Sequence, residues 1–357
     1  MKRKFWSKQI LDLIPYTPGE QPKINDLIKL NTNENPYPPT PLVSQLLAQF
    51  DIDHLRRYPD PESTQLSQTL ADYNNVAVDN IFIGNGSDEV LAHAFMAFFR
   101  QQRPILMPDI SYSFYTVYCD LYAIKATAIP IEDDFSINLA KYNIANGGII
   151  FANPNAPTGG EVSLQEIEQL LKINQQSLVI VDEAYVDFGA ESAVALTQKY
   201  DNCLVIQTLS KSRALAGLRI GYAIGNKNLI EALERVKNSF NSYPLDMLAQ
   251  ACAKSAIEDE TYFQGTLKKI IATRTWTEQQ LATLGFKVLP SKTNFLFVQH
   301  KNLAAIEIMQ FLRDNKIIVR HFTKEKISNY LRISIGTQSQ MQSLIECLNT
   351  LPGIEGK

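Results

Sequence analysis

At 357 residues the chain is longer than one hydrophobic core usually serves, so a large domain with a smaller companion is expected. Apolar residues make up 45% and charged residues 20%, and the net charge is only −3; this balance argues against a nucleic-acid binder or a protein drawn to anionic membranes. The four cysteines, Cys119, Cys203, Cys252 and Cys347, lie far apart with no CxxC pair, which argues against a metal site or disulfide framework and fits a reducing cytoplasm.

The opening MKRKFWSKQILDLIPY carries charges, but Ser7, Lys8, Gln9 and Asp12 break its apolar run. It reads as neither a signal peptide nor a membrane span. A Pro-rich extended arm, NTNENPYPPTP, covers Asn31 to Pro41. Short apolar runs then alternate with helical patterns: NIFIG from Asn80, PILMP from Pro104, GIIFAN from Gly148, SLVIVDEA from Ser177, CLVIQTL from Cys203 and IGYAIG from Ile220. Near-continuous apolar runs of this length are expected of strands buried on both faces. Between two of them, Ser163 and Glu166 in SLQEIEQLLKI form a capping box ahead of helically spaced apolar residues. The alternation predicts an α/β fold, a mainly parallel sheet covered by helices. From about Thr261 onward, a long helical stretch, KVLPSKTNFLFVQH, another helix, KIIVRHF and YLRISIG predict a smaller α+β domain completed by the N-terminal segment. The expected division is residues 1–40 as arm and part of the small domain, 41–260 as large domain and 261–357 as small C-terminal domain.

Ligands of open α/β sheets bind outside the carboxyl ends of the strands, so the residues after each run carry the functional reading. NIFIG is followed by NGSDEVLAHAFMAFF, in which Gly84 and Gly86 flank Asn85 and Ser87 can cap. Such a turn opening a helix is either an ordinary capped helix or a phosphate site. GIIFAN runs into the tight loop NPNAPTGG, which alone decides nothing. SLVIV ends in Asp182, either a solvated strand end or a carboxylate held for a cationic partner. CLVIQTL leads to SKSRALAGLR, where Lys211 either snorkels to water or serves as an amine nucleophile, with Ser210 and Arg219 nearby as anion donors. Together the strand ends offer a phosphate cradle, amide donors, a carboxylate and a lysine, the set pyridoxal 5'-phosphate requires.

The motifs LNTNENPYPP, RRYPDPES, GNGSDEVL, NPNAPTG, VDEAYVDF, TLSKSRALAGLRIGYAIG, TNFLFV and YLRISIGT occur in that order from about Pro15 to Thr337. On them the chain resembles the fold type I, pyridoxal-phosphate-dependent aminotransferases, most of all the histidinol-phosphate branch. The resemblance implies that Lys211 forms the Schiff base and moves protons, that Asp182 pairs with the pyridinium nitrogen, and that Tyr185 bonds the cofactor's 3′-oxygen. It also implies that the amides and hydroxyls of Gly86, Ser87 and Ser210, with Arg219, hold the phosphate, that Asp88 and Thr208 belong to the cofactor site, and that Tyr112 stacks on the ring. Tyr58 would reach the cofactor of a partner subunit, which implies a homodimer with shared active sites. The family commonly has NPNNPTG, and Ala156 stands where its asparagine contacts the 3′-oxygen; that role is expected of Asn155 instead. For substrate, the resemblance implies Arg332 for a carboxylate, Tyr16 and Arg320 for a phosphate, and Asn33, Glu34 and Asn294 at the entrance. The expected reaction is transamination between histidinol phosphate and 2-oxoglutarate, giving imidazole-acetol phosphate and glutamate. Aromatic amino-acid transamination and threonine-phosphate decarboxylation stay open as alternatives.

Overall fold

The computed structural model describes residues 4–17 and 19–354. In chain order its strands are β1 (Ile28–Leu30), β2 (Ile81–Asn85), β3 (Ile105–Pro108), β4 (Ala126–Ile129), β5 (Ile149–Ala152), β6 (Val179–Asp182), β7 (Cys203–Thr208), β8 (Ile220–Gly225), β9 (Phe286–Val288), β10 (Phe295–His300), β11 (Ile317–His321) and β12 (Leu331–Ser334). They form two sheets: seven strands in the order β2-β8-β7-β6-β5-β3-β4, and five in the order β1-β11-β12-β10-β9.

In the larger sheet β3 to β7 run parallel, while β8 is antiparallel to both of its neighbours. The reason lies in the connection. Only Leu209–Arg219 separates β7 from β8, and its one regular element is the short turn Ala216–Leu218, whereas a parallel return needs a crossover of a dozen or more residues. The apolar runs alternate as strands buried on both faces must. Val179, Val181, Cys203 and Val205 join the core on one side, and Ile180, Leu204 and Ile206 join the core on the other. On that second face lies the helix Gly86–Phe98, whose Val90, Leu91, Ala94 and Phe95 are fully buried. The strand β4 had no sequence signal, because this edge strand, ATAI, has only one buried residue.

Gly221 in β8 fixes where that helix begins. A Cβ there would lie 2.2 Å from the Ser87 amide nitrogen, so only glycine lets the helix start press against the strand. The capping box Ser163–Glu166 forms as expected ahead of the helix Leu164–Ile173. Ser87, by contrast, is not a cap: the helix starts at Gly86, Asn85 occupies the cap position, and no side chain caps it. Instead, Ser87 lines a cavity.

The smaller sheet is antiparallel except that β1 runs parallel to β11, with Ile28 opposite Ile317. The N-terminal segment thus completes it, and its core of Phe295, Val298, Ile333 and Leu344 extends to Tyr185 and Phe188 beside the larger sheet. Among the described residues no helix is long and apolar enough to cross a membrane.

Candidate active site

The carboxyl ends of β5, β6 and β7 and the start of the helix Gly86–Phe98 enclose a cavity of about 110 Å³. It is lined by Ser87, Asp88, Tyr112, Ala156, Asp182, Tyr185, Thr208, Ser210, Lys211 and Arg219. It adjoins a larger cavity of about 690 Å³, lined in part by Tyr16, Asn33, Arg320 and Arg332, a size typical of small-molecule sites. Tyr112, Ala156, Tyr185 and Lys211 face both.

Asp182 ends β6 between Ala152 of β5 and Ile206 of β7. Its side chain accepts hydrogen bonds from the Tyr115 hydroxyl at 2.7 Å and from the Ala184 amide at 3.2 Å. Burial raises its pKa from 3.8 to about 6 despite these two donors. A carboxylate held this way lacks a cation, and a protonated ring nitrogen would supply one. Lys211 follows β7, and its Nζ donates to the Thr32 carbonyl at 3.1 Å. The Asn35 amide donates to the carbonyls of Lys211 and Ser212, each at 3.0 Å, and so fixes the backbone that carries the lysine.

At the other end, Gly86 has φ +80, and a Cβ on it would meet the Arg219 guanidinium at 2.5 Å. Arg219 pairs with Asp88 at 3.0 Å, and the Asp88 carboxylate also accepts from the Tyr112 hydroxyl at 2.8 Å. The Tyr118 hydroxyl bonds the Asp88 carbonyl at 2.8 Å. The Ser210 hydroxyl is buried without a partner among the described residues. An orphaned hydroxyl, a guanidinium and a helix start without a side-chain cap are what a phosphate would satisfy, so the residues present fit pyridoxal phosphate. Thr208 lines the cavity, but its hydroxyl is committed, donating to the Ile220 carbonyl at 3.1 Å and accepting from the Ser210 amide at 3.2 Å.

In the larger cavity Arg320 and Arg332 are register partners on β11 and β12. Arg332 donates to the Asn31 carbonyl at 2.8 Å while its Nε is buried and unpartnered among the described residues. Burial lowers its pKa from the ordinary arginine value, a cost that an anionic ligand would relieve. Tyr16 packs on Phe114 with ring centroids 4.7 Å apart.

Asn155 and Asn294 stand elsewhere, and Tyr58, expected at a partner subunit's cofactor, lies apart from the site of its own chain. Asn155 lines neither cavity. Its amide donates to the Ile110 carbonyl and the Thr158 hydroxyl and accepts from Ser111, so its hydrogen bonds go to its own loop and to the segment after β3, and Ala156 lines the site in its place. Asn294 is fully buried away from the entrance, where its amide donates to the Asn33 carbonyl at 3.0 Å. Tyr58 lies outside both cavities of its own chain, 81% exposed and stacked on Tyr243 at 4.7 Å. The sequence reading missed Tyr115, although it sits three residues after Tyr112 in the same SYSFY stretch; the two rings meet edge to face with centroids 5.6 Å apart.

The model of the family "Aminotransferase class I and II" matches residues 25–348. The histidinol-phosphate aminotransferase 1 of Hydrogenovibrio crunogenus is 58% identical over 98% of each chain. That of Chromohalobacter salexigens is 55% identical over 98% of this chain and 99% of its own. Among solved structures, the histidinol-phosphate aminotransferase of Sinorhizobium meliloti in complex with pyridoxal-5'-phosphate superposes with a TM-score of 0.87 at 23% identity, covering 98% of both chains. The chain belongs to the class I and II aminotransferase family, with histidinol-phosphate aminotransferases as its relatives at more than half identity.

Proposed function

We propose that the protein is a pyridoxal-phosphate-dependent aminotransferase that exchanges the amino group of L-histidinol phosphate with 2-oxoglutarate, giving imidazole-acetol phosphate and L-glutamate, a step of histidine biosynthesis. One observation carries the reading: Lys211, Asp182, Tyr185, Ser210 and Arg219 share a cavity that opens beside Arg320 and Arg332. The two relatives named above act on this substrate by their names.

When bound, pyridoxal phosphate supplies the electron sink that makes loss of a proton from the substrate's Cα feasible. Ser87, Ser210, Arg219 and the first amides of the helix Gly86–Phe98 hold its phosphate. Tyr112 covers the ring. The carboxylate of Asp182, oriented by Tyr115 and the Ala184 amide, would pair with a protonated ring nitrogen. The Nζ of Lys211, which here donates to the Thr32 carbonyl, would serve as the base that takes and carries the proton of the substrate's Cα. Arg332 receives the carboxylate of glutamate or 2-oxoglutarate through its free guanidinium edge. Arg320 and Tyr16 take the phosphate of histidinol phosphate. Both substrates are anionic, so one pair of arginines serves the two halves of a ping-pong cycle.

The working unit in this reading is a homodimer in which the exposed Tyr58 reaches the partner's cofactor. Four unpaired cysteines suit a cytoplasmic setting. The test is an absorbance scan of the cofactor-loaded protein on adding histidinol phosphate without oxo acid. The spectrum should convert to that of bound pyridoxamine phosphate and return on adding 2-oxoglutarate. An unchanged spectrum with histidinol phosphate, alongside conversion by phenylalanine, would move the protein to the aromatic aminotransferases.

A further inference from the structure

Ala156 lines the cavity, and its side chain has no donor to offer a ligand oxygen. The Tyr185 hydroxyl faces the same space, and it is held from behind: Asn33 donates to it from Nδ2 at 2.9 Å. Asn33 is itself fixed at every polar atom. Its backbone amide donates to the Ser334 hydroxyl at 2.9 Å, and that hydroxyl donates back to Asn33 Oδ1 at 2.9 Å. Its carbonyl accepts from Asn294. The residue is 1% exposed and adopts φ 56, a left-handed backbone that asparagine tolerates better than most side chains.

The Ser334 hydroxyl gives its one proton to Oδ1 while accepting the Asn33 N–H. The NH₂ end faces Tyr185. A phenol oxygen that accepts a bond from behind keeps its own proton for a second partner, and bonds in such a chain polarise one another.

We propose that Asn33 is a positioning residue that aims the Tyr185 proton into the cavity, at the ring oxygen of the bound cofactor. It thereby supplies indirectly the donor that Ala156 cannot. The inference rests on the cofactor reading above. It also joins the N-terminal arm and β12 to the acid–base state of the site, since Asn33 and Ser334 belong to those segments.

The test is the pH titration of the bound cofactor's absorbance in the wild type, Asn33→Gly, Tyr185→Phe and the double variant. Glycine accepts the positive φ, so the change removes the amide without backbone strain. Loss of a donor at the ring oxygen stabilises the protonated form of the cofactor's link to the protein. The midpoint of Asn33→Gly should therefore rise by about 0.5–1 pH unit, the equivalent of one hydrogen bond. In the Tyr185→Phe background the same change should have no further effect, and adding Ala156→Asn to Asn33→Gly should bring the midpoint back toward the wild-type value. Ser334→Ala, which releases Oδ1 while keeping Asn33, should shift the midpoint in the same direction by less and stands in if Asn33→Gly does not fold. A wild-type midpoint in the folded, cofactor-loaded variants overturns the proposal, as does an equal shift with and without the Tyr185 hydroxyl. A wild-type protein that shows no cofactor absorbance overturns the functional reading itself.

Discussion

Replacing Tyr115 by Phe isolates the electrostatics of Asp182. The hydroxyl removed donates to Asp182 at 2.7 Å in a fully buried setting, and among the described residues the remaining donor is the Ala184 amide at 3.2 Å. A hydrogen bond to a charged group contributes about 1.5–3 kcal/mol, and 1.36 kcal/mol corresponds to one pH unit. Asp182, already raised to about 6 by burial, should therefore titrate at about 7–8 in the cofactor-free variant. The carboxyl must lose its proton before it can pair with a cationic ring nitrogen, so a higher pKa moves the acid limit of cofactor binding to higher pH. The assay is cofactor affinity from pH 5.5 to 8.5 for both proteins. The cofactor's own ionisations are common to the two, and the difference between the profiles reports on Asp182. An upward displacement of the acid limb by at least about one unit is expected. Superimposable profiles would refute the argument.

Gly86→Ala should weaken cofactor binding at least about tenfold, because the new methyl meets Arg219 at 2.5 Å on a backbone at φ +80; equilibrium dialysis measures it. Arg320→Met should raise KM for histidinol phosphate by about tenfold or more while leaving the glutamate half-reaction within about threefold, measured as separate half-reactions. If Tyr58 serves the partner's site, mixing inactive Lys211→Ala subunits with inactive Tyr58→Ala subunits should restore activity in one of the two sites of each mixed dimer, and no restoration would place Tyr58 outside the reaction. Glu183, fully buried and bonded by Ser192, Ala193 and Gln207, is raised from 4.5 to about 7 by burial. The folded state then holds its proton more tightly than the unfolded chain does, so its contribution is intact below pH 4.5 and is lost as pH rises to about 7, on the order of 3 kcal/mol. Glu183→Gln lacks this loss, and chemical unfolding at pH 5 and pH 7.5 should show the variant gaining on the wild type as pH rises.

The α/β architecture was legible because burial on both faces leaves a mark that no side-chain geometry is needed to read: runs such as LVIV and IIF have no polar side to show. The same runs carried no information on direction. The antiparallel course of β8 follows from the brevity of the segment Leu209–Arg219 rather than from the composition of IGYAIG. The edge strand β4 escaped because half-exposed residues lack the pattern.

For the site, the sequence by itself determined which chemical groups end up together. Residues at the carboxyl ends of parallel strands must converge, and Asp182, Lys211 and the Gly86 turn are placed by the strands they terminate. What only the tertiary structure decided is how each group is used, because hydrogen bonding depends on neighbours remote in the chain. Asn155 and Ala156 are adjacent in sequence, yet the amide of one bonds its own loop and the segment after β3 while the other lines the cavity. Asn33 lies 152 positions from Tyr185 and 301 from Ser334. Bonds across such separations leave no trace in local pattern, and they set which oxygen donates and which accepts.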